Sequence, residues 1–501
     1  MISVTTIRLA VRYADLNMRF SKRYAATALI AFAVIAVACG STGGSESATG
    51  TPSDDDVRDE PTAPPDPGVL NSGGSESATG TPSDGDARDE PTAPPDPVVL
   101  NSDSSESASG TPSDDGVQDE PTAPPDPGVL NPDESESATS TPSDDHAQDE
   151  HSDRLDPRVL NSDWSTDFSI HSVPLGDFLS GGPPKDGIRS LENPAFISIE
   201  EGNQSFVDNE PVIAFSINGD ARAYPLGILT QHEIADDVVG GVPVTVTFCP
   251  LCNSAIVFES TLDGVVYEFG VSGVLRNSDP VMYDRTTESW WQQFTGEAIV
   301  GELTGALLEV VPSSLVSWGD FKDTYPAGQV MSTETGFGRD YGLNPYVGDD
   351  SDTSPFLFRG EPDPRLGPVD RVVALDINGD PIAYTYDSLE DEGVIHDTVG
   401  GEDIVIFFQF GTASALDGRN ISESRDVGAT GVFRPVANGQ SLTFSADGDD
   451  IVDDQTGSRW NLLGLATDGE LAGTQLELVP HANHFWFAWA AFKPNTRIYG
   501  T

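Results

Sequence analysis

The pattern of hydrophobic positions divides the chain into three parts. Residues 25–38 form one apolar stretch near the N-terminus, residues 40–163 carry almost no apolar clusters, and alternating apolar and polar positions begin at about Trp164. From there, short runs rich in Val, Ile and aromatic residues are separated by turn residues, which is the pattern of β-strands. The sequence therefore predicts a mainly β (β-rich α+β) fold for residues 164–501.

This β-rich part contains an internal match. Residues 212–220 (VIAFSINGD) are similar to residues 372–380 (VVALDINGD), 160 positions later. Asn-Gly between alternating apolar runs predicts a tight hairpin in both segments. We interpret the match as two tandem pseudo-symmetric repeats of about 130 residues in one compact body. Repeat one spans residues 164–335, repeat two spans 371–501, and residues 336–370 connect them.

The two repeats differ at one turn. In repeat one a predicted strand runs into Cys249-Pro250-Leu251-Cys252, whereas the matching strand of repeat two runs into Gln409 and Phe410. Aligning Ser254 and Ala255 with Ser414 and Ala415 keeps the scaffold residues and removes both cysteines. This alignment indicates that Cys249 and Cys252 serve a purpose specific to repeat one.

Two thiolates on a turn between strands suit zinc or copper. His232 is the candidate third ligand, because Glu392 occupies its position in repeat two. His481 and His484, spaced for one helical face, offer a further ligand but are expected to be surface histidines.

Two other interpretations of the cysteines remain open. A Cys249–Cys252 disulfide would pin the turn of a non-catalytic ligand- or partner-binding module. A thioredoxin-like redox pair needs a helix after its first cysteine, but residues 254–258 (SAIVF) predict a strand. The sequence does not decide whether the protein is an enzyme, and it names no substrate.

A second candidate site is a dense polar and aromatic cluster. Asp284, Arg285, Glu288 and Trp290 lie within seven positions of one another, and such a group suits a carbohydrate or planar ligand. Such residues are more often a core tryptophan beside a salt-bridged arginine than a binding site.

The N-terminal stretch resembles an export signal. Arg19, Lys22 and Arg23 precede residues 25–38, which are too few to span a bilayer but are typical of a signal peptide. Small residues then lead to Cys39, as in a lipobox, so residues 1–39 predict a leader whose cysteine becomes lipidated. We expect a protein anchored by lipid to the outer face of the cell membrane, translated from Met1 or Met18.

Residues 40–163 predict a disordered, acidic, Pro/Ser-rich linker. A 30-residue unit occurs four times there and offers too few apolar residues to form a core. The whole chain has a formal net charge of −57, which disfavours nucleic acid because phosphates would be repelled.

Four motifs carry a resemblance to a known family. They are, in order, residues 181–188 (GGPPKDGI), His232-Glu233-Ile234, residues 247–255 (TFCPLCNSA) and residues 284–290 (DRTTESW). Together they resemble the secreted family labelled domain of unknown function 3179, over roughly residues 165–500. The resemblance implies a shared fold and an extracytoplasmic setting, and it implies no reaction.

Overall fold

The computed structural model describes residues 154–448 and 450–501. These residues are mainly β, as predicted. They also form short 3-10 helices at Val159–Asn161, Leu175–Asp177 and Ile421–Glu423. The α-helices of this part of the chain are α1 (Ile199–Gly202), α2 (Leu226–His232), α3 (Trp318–Thr324), α4 (Tyr386–Glu392) and α5 (Trp486–Phe492).

Seventeen strands of the described chain precede residue 332, and we call this part the first half. They are β1 (Leu179–Ser180), β2 (Leu191–Glu192), β3 (Phe196–Ser198), β4 (Pro211–Ile217), β5 (Asp220–Pro225), β6 (Ile234–Val239), β7 (Val242–Cys249), β8 (Ser254–Glu259), β9 (Thr261–Leu262), β10 (Val265–Val266), β11 (Phe269–Arg276), β12 (Asp279–Asp284), β13 (Trp290–Gln292), β14 (Glu297–Val300), β15 (Glu309–Val311), β16 (Ser314–Ser317) and β17 (Gln329–Met331).

The second half begins at residue 371 and contains the other strands of the described chain. They are β18 (Arg371–Ile377), β19 (Asp380–Thr385), β20 (Val394–Val399), β21 (Glu402–Gln409), β22 (Ala429–Phe433), β23 (Val436–Ala437), β24 (Gln440–Ser441), β25 (Phe444–Asp447), β26 (Asp450–Asp453), β27 (Arg459–Trp460), β28 (Ala466–Asp468), β29 (Ala482–Phe485) and β30 (Arg497–Ile498).

These strands form several small sheets. The first half contains three five-stranded sheets, in the orders β16-β4-β5-β17-β3, β15-β8-β7-β6-β2 and β1-β11-β12-β13-β14. The second half contains sheets in the orders β29-β18-β19-β30, β20-β21-β22 and β25-β26-β27-β28. The pairs β9/β10 and β23/β24 complete the β structure of the described residues.

The predicted Asn-Gly hairpins are confirmed. Asn218 and Gly219 join β4 to β5 with positive φ angles of 52° and 83°, as a type I′ turn requires. Asn378 and Gly379 do the same between β18 and β19, at 53° and 79°. The Asn218 side chain donates a 3.0 Å hydrogen bond to the Gly240 carbonyl, and the Asn378 side chain donates a 3.1 Å bond to that of Gly400.

The two halves share one series of elements and then diverge. β4, β5, α2, β6 and β7 contain 7, 6, 7, 6 and 8 residues, and β18, β19, α4, β20 and β21 have the same lengths. β7 then turns through residues 250–253 into β8, but β21 is followed by residues 410–428 before its partner β22. Gln409 pairs with Ala429, as Cys249 pairs with Ser254. The sequence alignment of Ser414 with Ser254 is therefore wrong, because the second half has a long loop in place of the tight turn.

One hydrophobic core joins the two halves. β29 of the second half packs against β8, and β16 of the first half packs against β22. The core includes large side chains from both halves, among them Phe248, Trp318, Phe485 and Trp486. Cys249 and Cys252 lie in this shared core.

Two residues that the sequence assigns to the linker belong to the folded body. Leu155 and Val159 are buried against a hydrophobic cluster that includes Trp290. Residues 40–153 of the predicted linker and Cys39 lie outside the described residues. Over the part of the chain that is described, none of the helices has the length and apolar character needed to cross a bilayer.

Candidate metal centre

The Cys-Pro-Leu-Cys turn lies between two buried strands. Cys249 ends β7 and pairs with Ser254 at the start of β8. The turn closes when Asn253 donates its backbone N–H to the Pro250 carbonyl at 3.2 Å, and Asn253 takes a left-handed conformation with φ 48°. Asn tolerates this conformation better than most residues.

The turn brings two sulfurs to a carboxylate. The Sγ atoms of Cys249 and Cys252 and a carboxylate oxygen of Asp279 lie within 4.8 Å of one another. Both thiols are free, and all three residues are fully buried. The backbone N–H of Cys252 also donates to Cys249 Sγ at 3.1 Å, a contact that favours a thiolate.

Asp279, the first residue of β12, has one oxygen fixed and the other unpartnered. Its Oδ2 accepts hydrogen bonds from the Gln292 side chain at 2.6 Å and from the Phe294 backbone at 3.0 Å. Its Oδ1 accepts no hydrogen bond from a nitrogen or oxygen donor, and the Cys252 thiol interacts with the same carboxyl group. An unpartnered buried carboxylate oxygen is costly unless a proton or a cation binds it.

Burial controls the protonation of this group. It raises the pKa of Asp279 to about 7 and that of the Cys249 thiol to about 11, and it holds the pKa of Cys252 well above its usual value. A bound metal ion reverses this preference, because it favours thiolate and carboxylate over their protonated forms. At neutral pH the two thiols are therefore protonated and Asp279 is about half protonated, and all three would become anionic ligands when a cation enters.

Glu233 is a second buried acid near this group. It follows α2 with a left-handed φ of 60°; its N–H donates to the Leu229 carbonyl, and its own carbonyl accepts from Phe248. The second half makes the same two backbone bonds with Gly393, at φ 71°. Glycine is the usual residue at such a helix end, whereas a longer side chain there is strained.

The Glu233 carboxylate has an apolar environment. It accepts a hydrogen bond from the Tyr346 side chain, and burial raises its pKa to about 7, with the nearby charge of Asp279 acting in the same direction. Glu233 and Gln293 line a cavity of about 10 Å³, close to the minimum for one water molecule. Gln293 Oε1 is buried without a hydrogen-bond partner.

His232 does not join the cysteines. Its Nδ1 is 2.6 Å from the Arg189 carbonyl oxygen, and its Nε2 is 2.7 Å from the Tyr341 hydroxyl. Both ring nitrogens are thus engaged, and burial lowers the pKa of His232 to about 4, so the ring is neutral. Within the described residues, the third group beside the sulfurs is Asp279, where the sequence predicted His232.

The predicted ligand cluster forms a network of internal contacts. Asp284 accepts hydrogen bonds from the backbone of Thr286 and Thr287, from the Thr287 hydroxyl and from the Trp291 indole, at 2.6–3.1 Å. Asp453 makes corresponding bonds to Thr456, Ser458 and Trp460 in the second half. This arrangement closes a turn in both halves.

The other members of the cluster are similarly occupied. Arg285 forms ion pairs with Asp186 and Glu192, at 3.1 and 3.2 Å. Glu288 forms a 2.6 Å ion pair with Lys185 and accepts a hydrogen bond from the Ser165 backbone. Trp290 is fully buried, with Trp164, Phe168 and Phe178 packed edge-on against its ring at 5.1–5.2 Å. The chain's own segment before β1 thus covers this tryptophan.

The second histidine pair is buried and lies at a strand. His481 precedes β29, His484 belongs to it, and both side chains are buried. The expectation of surface histidines on a helical face is therefore wrong. Burial lowers their pKa values to about 4 and about 3. His484 packs against Phe294 and Trp489, with ring centroids 4.5 and 5.5 Å away.

A thioredoxin-like redox pair needs a helix after its first cysteine, and no helix immediately follows Cys249. Residues 250–253 form a turn, and β8 follows directly. Without a helix N-terminus, the dipole that lowers the pKa of a catalytic thiol is missing, and burial raises both thiol pKa values instead.

Comparison with known proteins identifies a family. A family model described as "Protein of unknown function (DUF3179)" matches residues 185–496, which confirms the resemblance drawn from the four motifs. Neither a search of curated proteins nor one of solved structures returns a match to the chain.

Proposed function

The chain belongs to this family of unknown function, which assigns no reaction to its members, and from the site alone we propose that the protein binds a transition metal ion. The ligands are Cys249, Cys252 and Asp279, and zinc and copper are the ions that two sulfurs and a third donor suit. The observation that carries the proposal is the buried, unpartnered Oδ1 of Asp279 beside two free thiols.

The spacing of the donors supports the proposal. In a tetrahedral site with Zn–S of about 2.3 Å, neighbouring ligand atoms lie about 3.8 Å apart. The three donor atoms already lie within 4.8 Å of one another, so a small side-chain adjustment brings them to an ion. Three protein ligands leave a fourth position for water or a substrate, as in catalytic zinc sites.

The surroundings hold these donors in place. Gln292 binds Asp279 Oδ2 and also accepts a 3.2 Å hydrogen bond from Arg276. The backbone of Phe485, in the second half, donates a 2.8 Å bond to the Cys252 carbonyl. Such outer contacts orient metal ligands and restrict their movement.

We also propose that the body arose as two related halves, of which only the first carries the metal centre. The equal lengths of the five shared elements support this, as do the matching turns around Asp284 and Asp453. The second half has neither cysteine at the matching turn.

The setting of the site is a further part of the proposal. The leader and Cys39 support an exported protein held at the outer face of the cell membrane by lipid. Membrane fractionation of the protein and of its Cys39→Ser variant tests this. We expect the variant to leave the membrane fraction, and equal retention of both would contradict the anchor.

Elemental analysis of the purified protein tests the metal proposal. We expect about one zinc or copper ion per chain, and none in the Cys249→Ser/Cys252→Ser and Asp279→Asn variants. The His232→Gln variant is the matched comparison, and it should keep its metal because both His232 nitrogens bind elsewhere. Equal metal in all variants would sink the proposal.

The same protein tests the competing interpretation. If Cys249 and Cys252 form a structural disulfide, the intact mass is lower by two hydrogens and no metal is present. That result would favour a non-catalytic ligand- or partner-binding module in place of a metal protein.

A further inference from the structure

A long segment without regular structure packs beside the buried cluster. Between β17 and β18, residues 332–370 contain neither helix nor strand, and we call them the cover segment. Irregular connections of this length are uncommon in compact domains and are usually functional. Because Cys249, Cys252 and Asp279 are fully buried, an ion reaches them only if something covering them moves.

The first contact of the cover segment is with His232. The Tyr341 hydroxyl lies 2.7 Å from His232 Nε2 and is also hydrogen-bonded to Thr335. The ring of Phe337 lies 5.3 Å from the His232 ring, although 46% of Phe337 is exposed. The other ring nitrogen of His232 is fixed by Arg189, so the histidine joins the cover segment to the first half.

The second and third contacts lie close to the metal ligands. Tyr346 of the cover segment hydrogen-bonds the Glu233 carboxylate. The Ser278 hydroxyl donates to the Phe356 carbonyl, and the carbonyl of Ser278 lies 3.9 and 3.5 Å from the two cysteine sulfurs. All three contacts therefore involve first-half residues that border the cluster in space or in sequence.

The cover segment is fixed more firmly to the second half. Asp350 is completely buried and pairs with Arg371 and Arg425 at 3.3 and 2.7 Å. Asn344 binds the carbonyls of Gly418 and Arg419 at 3.1 and 2.8 Å. The segment is thus anchored to the second half by buried ion pairs. It is bound to the first half by the two tyrosine hydroxyls and by hydrogen bonds of Phe356, Asp340 and Gly342.

We propose that the cover segment is a gate for the metal centre, and that His232 and Glu233 are the residues that latch it through Tyr341 and Tyr346. The latch explains why these two residues occur only in the first half. At the corresponding positions, Glu392 is exposed and Gly393 has no side chain. Opening breaks the two tyrosine contacts and the backbone-directed bonds to the first half, such as Ser278 to Phe356, and leaves the Asp350 ion pairs intact. The identity of what passes the gate, a transition metal ion, rests on the proposed function.

Thiol modification kinetics test the gate without any metal. In a Cys39→Ser background, the native protein is mixed with a small aromatic disulfide that reacts only with accessible thiols. We expect the Tyr341→Phe/Tyr346→Phe variant to react roughly tenfold faster, because two hydrogen bonds that close the gate are lost.

Tyr384→Phe is the matched control. Its hydroxyl donates a 2.7 Å bond to Asp397 in the second half, also in a buried setting, but it does not touch the cover segment. Its reaction rate should equal that of the parent. An unchanged rate in the double variant, or an equal increase in the control, would overturn the gate, because modification would then follow unfolding of the whole protein.

The two proposals fail separately. If elemental analysis finds no metal but the double variant still reacts faster, the gate stands and the metal assignment fails. If the parent binds metal and the double variant reacts at the parent rate, the metal centre stands and the gate is wrong.

Discussion

Replacing Glu233 by glycine should change the stability of the protein in opposite directions at low and high pH. Glu233 stands at a helix end where its φ is 60°, and Gly393 shows that the same backbone bonds form without a side chain. The substitution relieves a strain of about 1 kcal/mol. It also removes the partner of Tyr346 and leaves a small void, and together these changes cost about 2–3 kcal/mol.

The pH-dependent part comes from the carboxylate. Burial raises the pKa of Glu233 from 4.5 to about 7, so the folded protein holds a proton that the unfolded chain has lost. The stability of the parent therefore falls as the pH rises from 4.5 through 7. This difference in pKa corresponds to about 3 kcal/mol, most of which appears between pH 5 and pH 8.

Combining these terms, Glu233→Gly should be less stable than the parent at pH 5 by about 1 kcal/mol, and more stable at pH 8 by about 1–2 kcal/mol. The strain and void terms do not depend on pH, so they cancel when the two pH values are compared, and the pH-dependent part of the Tyr346 hydrogen bond is already contained in the pKa shift of Glu233. Other raised acids, such as Asp236 with a pKa of about 7, are present in both proteins and cancel too.

Urea unfolding of the purified parent and variant at pH 5 and pH 8 provides the measurement. Glu392→Gln serves as the control, because that exposed carboxylate ends the corresponding helix of the second half and should alter stability little at either pH. The reasoning is refuted if the stability difference between Glu233→Gly and the parent is the same at both pH values.

Two further substitutions distinguish structural residues from metal ligands. Asp284→Asn should destabilise the protein by about 2–3 kcal/mol, because an amide group then faces several donors, and Asp453→Asn should have the same effect. Both variants should bind as much metal as the parent, and loss of metal only in Asp284→Asn would show that Asp284 belongs to the site. Trp290→Ala should destabilise the protein by about 3–5 kcal/mol and release the segment that contains Trp164. Limited proteolysis should then cut the variant before β1 and leave the parent intact there. An uncut variant would show that other contacts hold the segment.

The local features of the fold are those that the sequence predicted well. Asn218-Gly219 and Asn378-Gly379 specify their hairpins because two successive left-handed residues suit few other pairs. The strand that delivers Cys249 is predicted by its alternating Val and Thr residues. A turn depends on neighbours along the chain, which the sequence displays directly.

The sequence predicts the two cysteines of the candidate site but not Asp279, because Asp279 is distant from them in sequence. Asp279 reaches the cysteines through the β11–β12 hairpin, and no motif near residue 249 signals that approach. His232 was assigned as a ligand because it lacks a counterpart in the second half, but its ring binds Tyr341 of the cover segment. The same comparison places Glu233 opposite Gly393, and this contrast could have identified Glu233.

The polar cluster around Trp290 shows where internal comparison helps most. Asp453, Thr456 and Ser458 repeat the spacing of Asp284, Thr287 and Ser289. That repetition identifies a turn common to both halves and therefore a structural role for Asp284. The unequal turns after β7 and β21 are harder to predict. Residues 410–428 follow β21 as a loop, and its Ser and Ala match the first residues of β8 in sequence but not in structure.

The Asn-Gly hairpins also determine which asparagines of the described chain deamidate first. Asn-Gly sequences deamidate when the backbone nitrogen of glycine attacks the side-chain amide, which gives a carboxylate. Asn218 and Asn378 hold their amides on the carbonyls of Gly240 and Gly400, so attack requires breaking that bond. Asn438 and Gly439 form a third such turn, with φ 51° and 79°, and Asn438 is exposed. Damage should therefore accumulate first at Asn438, far along the chain from the cysteines.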